Sequence, residues 1–147
     1  MNKSDAAEQL FREHANCAQS VLVPFAAEFG VDTSTAAHIA SGFGGGIARL
    51  QGTCGAITGA CMALGLAIGA HEPDATKAKD ETSAAFREFQ KRFVEQHGAT
   101  TCRALLNVDL NTEEGRAEHA RNDLRTTVCT PCVRDAARIV DELLMGA

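Results

Sequence analysis

The chain has 147 residues, enough for one domain with its own core. It carries a formal net charge of −5 and 45% hydrophobic residues, with no Trp or Tyr, so no basic footprint argues for nucleic acid. The first residues, Met1-Asn2-Lys3-Ser4-Asp5, lack the apolar core of a signal peptide, and residues 52–70 are too rich in Gly, Thr and Cys for a membrane span. The expectation is a cytoplasmic protein without a membrane segment.

Alanine-rich amphipathic stretches dominate and alternating β-branched runs are absent. The pattern predicts an all-α helical bundle, a single domain over residues 1–147. A first helix is predicted over residues 5–28, with Leu10, Phe11, Ala18, Val21, Leu22 and Phe25 on its apolar face. Cys17 falls inside it, Pro24 kinks it or ends its regular part, and Gly30 stops it. Asp32-Thr33-Ser34 caps a second helix, whose stripe Ile39, Phe43, Ile47 carries it toward residue 47 through the run Gly42-Phe43-Gly44-Gly45-Gly46.

A third helix begins at Cys54 and ends near residues 69–71, with the stripe Cys54, Ile57, Cys61, Leu64, Ile68. Gly55/Gly59 and Gly65/Gly69 lie four apart and present bare backbone to a neighbour. Interior glycines weaken a helix by ~1 kcal/mol each, so this one needs packing on nearly all sides and reads as the central element. Its glycine faces suggest close helix–helix contact, extended here to a homodimer.

Pro73 opens a fourth helix with the buried stripe Thr82, Phe86, Phe89, Phe93, stopped at Gly98. Thr100-Thr101 cap a short helix from Cys102 to Leu106, and residues 112–125 read as a solvated polar helix or ordered loop. The last helix is predicted to start at Thr130-Pro131 and to bury Val133, Ala136, Val140 and Leu143.

The chemistry concentrates in six cysteines: Cys17, Cys54, Cys61, Cys102, Cys129 and Cys132. In a reducing compartment, dispersed cysteines serve as metal ligands, catalytic thiols or small core residues more often than as structural disulfides. Cys54, Cys102 and the Cys129/Cys132 pair fall at predicted helix starts, where free N–H groups and positive partial charge favour the thiolate. Cys129-Thr130-Pro131-Cys132 is a CxxC motif that suits either dithiol exchange or metal binding. Cys61 reads as a small core residue. His14, three before Cys17, reads as a surface residue, with a His–Cys ligand pair as the alternative. His38, His71, His97 and His119 form no ligand spacing with one another. The glycine run is no phosphate loop, because no Gly-Lys-Ser/Thr follows and no strand precedes it.

Taken together, Asn16-Cys17-Ala18-Gln19-Ser20-Val21, the 42–49 glycine run, Cys54-Gly55-Ala56-Ile57-Thr58-Gly59, Cys102-Arg103-Ala104-Leu105-Leu106 and Cys129 before Val133-Arg134-Asp135-Ala136 resemble the C_GCAxxG_C_C family of redox-active proteins. The resemblance implies four hallmark cysteines: Cys17, Cys54, Cys102 and Cys129. Cys61 and Cys132 depart from that pattern, Cys132 standing as an additional resolving thiol or a buried residue. A similar domain occurs in split-Soret-type cytochromes, but this chain has no CxxCH haem attachment motif.

The functional expectation is that Cys17, Cys54, Cys102 and Cys129 converge as ligands of an iron–sulfur centre, [2Fe–2S], for electron transfer or redox sensing with an unidentified redox partner protein. The alternatives are a thiol–disulfide oxidoreductase using the same cysteines, a structural zinc domain, and a helical interaction protein whose cysteines are inert.

Overall fold

The computed structural model describes residues 1–146. It is an all-α bundle of eight α-helices, with no strand among the described residues. Its elements are α1 (Lys3–Arg12), α2 (Cys17–Ala26), α3 (Thr33–Ile39), α4 (Gly55–His71), α5 (Ala75–His97), α6 (Cys102–Leu106), α7 (Glu113–Arg121) and α8 (Thr130–Leu144).

The first predicted helix is two helices. His14 takes a left-handed conformation (φ 77°), and α2 restarts behind a capping box in which the Asn16 side chain accepts from the Gln19 N–H while the Gln19 side chain accepts from the Asn16 N–H. The apolar spacing runs through this break because α1 and α2 bury Phe11, Ala18, Val21 and Phe25 in one core. Pro24 lies inside α2, and the chain tightens to a 3₁₀ turn at Ala27–Phe29 before Gly30 ends it.

The second helix stops at Ile39. After a 3₁₀ turn, Ser41–Phe43, five successive residues turn left-handed: Gly45, Gly46, Ile47, Ala48 and Arg49, with φ of 63, 71, 67, 52 and 60°. Each non-glycine there costs ~1–2 kcal/mol of steric strain. Backbone bonds hold the turn, Ala48 N–H to Gly42 O at 2.8 Å and Gly52 N–H to Gly46 O at 2.8 Å. A Cβ at position 46 would lie 2.6 Å from the Gly52 backbone, so the crossing admits only glycine. The expected stripe therefore fails: Ile39 is 57% and Ile47 46% exposed.

Helix α4 is central, packed by α2, α5 and α8. Ala56, Ile57, Ala60, Ala63, Leu64 and Ala67 are buried, so its inner face is broader than the predicted stripe and excludes Cys61, which is half-buried. Only the first glycine pair gives close approach. A Cβ at Gly59 would meet the Ala18 carbonyl oxygen at 2.7 Å, whereas one at Gly65 meets nothing nearer than 3.6 Å and one at Gly69 nothing within 4 Å.

Helix α5 is capped by Asp74, with Pro73 just outside it, and it buries Phe89 and Phe93, stacked 5.9 Å apart. Helix α8 lies against α1, α4 and α5 through Cys132, Val133, Ala136, Ala137, Ile139 and Val140. Its entry also differs from the expectation. Residues Arg125–Cys129 form a π-helical turn that runs directly into α8, and the Thr130 hydroxyl donates back to Arg125 O at 3.0 Å instead of capping.

Candidate redox site

One cavity of about 550 Å³ is lined by Cys17, Cys54, Cys102, Cys129 and Cys132, which gather from four well-separated segments. The four expected sulfurs are thus brought together, and the additional thiol joins them. Cys61 does not line the cavity.

Local signals place three of these residues at helix starts. Cys17 is the first residue of α2, not a mid-helix residue. The Asn16 side chain, which caps α2, also donates to Ala40 O and Ser41 O at 3.2 Å each, tying this helix start to the end of α3. Cys54 is the N-cap residue of α4 and Cys102 the first residue of α6. An antiparallel bridge joins Thr53 to Thr101, with Cys54 N–H donating to Thr100 O and Cys102 N–H to Gly52 O, both at 2.8 Å. This crossing sets two cysteine-bearing helix starts side by side. Gly55 completes the approach, since a Cβ there would lie 2.9 Å from Cys17 Cβ.

Cys129 and Cys132 arrive differently. The π turn puts Cys129 within a continuous helical run, so it has no free helix start behind it. Arg125, one turn earlier, anchors that run. Its Nη2 donates to Phe11 O at 2.6 Å and Ala15 O at 3.2 Å, and its guanidinium lies 3.7 Å from the centre of the Phe11 ring. These contacts draw the π turn onto the α1–α2 junction and bring Cys129 against Cys17.

The sulfurs act on one another in two pairs. The Cys17 thiol donates to Cys129, which holds the Cys129 thiol below its ordinary value. Arg125 adds to this effect and burial opposes it. Cys17 is pushed well up by holding that proton and by burial. In the second pair, Cys132 donates to Cys54. Cys54 is held down first by this bond, and the amides of Ala56 and Ile57 assist against burial. The Cys54 sulfur closes no strict capping bond, so these amides act on it at longer range. Cys132, only 2% exposed, is pushed up by the same shared proton and by burial. Each pair thus has one thiol that ionises more readily than its neighbour: Cys129 beside Cys17 and Cys54 beside Cys132.

Cys102 stands as the fifth sulfur, pushed up to about 11 by burial and by the charges of Cys54 and Cys129. Gln51 Nε2 reaches its sulfur at 3.9 Å. Gln51 itself is buried and left-handed (φ 59°). Its amide donates to Val108 O at 2.9 Å and accepts from Leu110 N–H at 2.8 Å, fastening the glycine turn to the segment after α6.

Sequence reasoning missed both Gln51 and Arg125. Nothing local marks a glutamine that becomes buried by a distant loop, and Arg125 looked like one more charge on a polar stretch. His14 sits in the α1–α2 turn and not on a helix face shared with Cys17, yet it lines the cavity, as does His119. Among the described residues, no three His, Cys, Asp or Glu side chains are arranged around a single metal ion. No described helix is long and apolar enough to cross a membrane.

The family model described as "Putative redox-active protein (C_GCAxxG_C_C)" matches residues 15–143, and the chain belongs to that family. Neither a curated protein nor a solved structure matches the chain.

Proposed function

We propose that this member of the C_GCAxxG_C_C family is an electron-transfer or redox-sensing protein whose cavity thiols ligate a [2Fe–2S] centre. The observation that carries the reading is the convergence of five cysteines on one cavity, four of them acting on one another in pairs. A two-iron centre takes two sulfurs at each iron, and thiols that act on one another in pairs suit that better than a single ion, for which no three donors are grouped among the described residues. Cys17, Cys129, Cys54 and Cys132 would hold such a centre, leaving Cys102 as the neighbouring fifth thiol. Such a centre, when bound, supplies one-electron chemistry. The chain's own part is to keep thiolates available. Arg125 stabilises negative charge at Cys129, and the α4 amides do so at Cys54. Free thiols of this number suit a reducing compartment such as the cytoplasm.

Anaerobic expression with iron supplied, followed by iron and acid-labile sulfide analysis and a visible spectrum, tests the reading. Equal iron and sulfide with visible absorption are expected; colourless, iron-free protein refutes it. Cys132→Ala is expected to lose the centre and Cys102→Ala to retain it, and the reverse would return the fourth position to Cys102.

The same pairs favour a second reading, thiol–disulfide exchange, in which each pair of thiols gives up two electrons and two protons to an oxidised dithiol partner as a disulfide forms. Mass mapping of metal-free protein after oxidation should then find Cys17–Cys129 and Cys54–Cys132 linkages. A thiol count unchanged by oxidant excludes it.

A further inference from the structure

We propose that the thiol cavity is also a binding site for a small organic carboxylate, its charge taken by Arg49 with His14 and His119 and its apolar part by Leu105, Leu110 and Val128. The site goes beyond the redox reading and does not depend on a bound centre. Acidic residues outnumber basic ones in this chain, 19 Asp and Glu against 14 Lys and Arg, yet no Asp or Glu lines the cavity. Its lining instead includes two arginines and two histidines.

The two arginines have different duties. Arg125 is spent within the protein: its guanidinium is bonded to two backbone carbonyls, lies on the Phe11 ring, and helps hold down the Cys129 thiol. Arg49, His14 and His119 have no side-chain hydrogen bond or ion pair among the described residues. Three cationic or donor side chains without partners, on a wall free of carboxylates, select an anion. Arg49 is also held there at a cost, at the end of five consecutive left-handed residues.

The remaining wall decides what kind of anion. Leu105, Leu110 and Val128 are apolar, and about 550 Å³ lies within the ~300–1,000 Å³ typical of small-molecule sites. An inorganic oxyanion would leave that apolar wall uncovered. A carboxylate carrying an apolar group satisfies both faces.

Isothermal titration of the full-length chain with benzoate and, separately, with inorganic phosphate tests the site, with iron measured on the same samples. Saturable benzoate binding is expected, weakened about tenfold or more in Arg49→Ala and largely kept in Arg49→Lys, since a charged hydrogen bond is worth at least that factor. Arg49 is exposed and its side chain has no partner, so both variants should keep the wild-type helical circular dichroism. No benzoate binding by the wild type, equal binding by Arg49→Ala, or phosphate binding as tightly as benzoate would overturn the proposal. Because binding is read whether or not iron is present, iron-free protein that still binds benzoate refutes only the cluster reading, and iron-loaded protein that ignores benzoate refutes only this one.

Discussion

Replacing Gly59 by Ala isolates the helix crossing that brings Cys17 toward Cys54. The substitution gains ~1 kcal/mol of helix propensity within α4. Against this, the new Cβ lands 2.7 Å from the Ala18 carbonyl oxygen, 3.0 Å from Ala18 Cα and 3.1 Å from Val21 Cβ. Two of those atoms are backbone of α2 and cannot rotate away, so α2 must shift; overpacking of this kind costs ~1–3 kcal/mol, and rigid backbone puts it at the upper end. The net expectation is a loss of about 2 kcal/mol in urea unfolding with an unchanged slope, together with a thiol pair 17/129 displaced from 54/132. Gly65→Ala is the internal comparison. Its nearest neighbour is the end of the Thr82 side chain at 3.6 Å, ordinary contact, so it should stabilise by ~1 kcal/mol. A Gly59→Ala variant as stable as Gly65→Ala would refute the close-crossing argument.

Gln51→Ala removes the donor to Val108 O and the acceptor for Leu110 N–H, and should cost ~2–4 kcal/mol in denaturant unfolding because both backbone partners lose a buried bond. In metal-free protein, Cys102 carries its pKa raised from 9.0 to about 11, so the unfolded chain releases this proton first; the contribution is intact below pH 9 and is lost as pH rises toward 11. Urea midpoints across that window should fall with pH, and less steeply in Cys102→Ala. Cys61→Ala trims a half-buried residue outside the cavity, and should cost under ~1 kcal/mol while leaving iron content unchanged.

Much of the fold was legible because helix ends are written locally. Asp32 and Thr101 each accept an amide at a predicted N-terminus, and Gly30 and Gly98 end helices in the left-handed conformation, whereas the helix expected to open at Pro73 is capped one residue later by Asp74. Two boundaries were misleading for identifiable reasons. The α1–α2 break hid beneath a continuous apolar spacing, although Asn16 and Gln19 already had the spacing of a capping box. Thr130-Pro131 had the composition of a helix start, but the π turn before it supplied the helical carbonyls that such a start would lack.

By itself, the sequence determined the all-α class, the buried glycine-rich helix and the family, because capping, periodicity and motif spacing act over a few residues. Only the tertiary structure decided which sulfurs share the cavity. The Thr53–Thr101 bridge, the Gln51 fastening and the Arg125 anchor each join segments distant in the chain, at least 48 residues apart for the bridge, and no local pattern encodes such a meeting. It also decided that Cys132 enters the cavity and Cys61 stays outside, since one turn of a helix rotates a side chain from one neighbour to another, and the neighbours are set by packing.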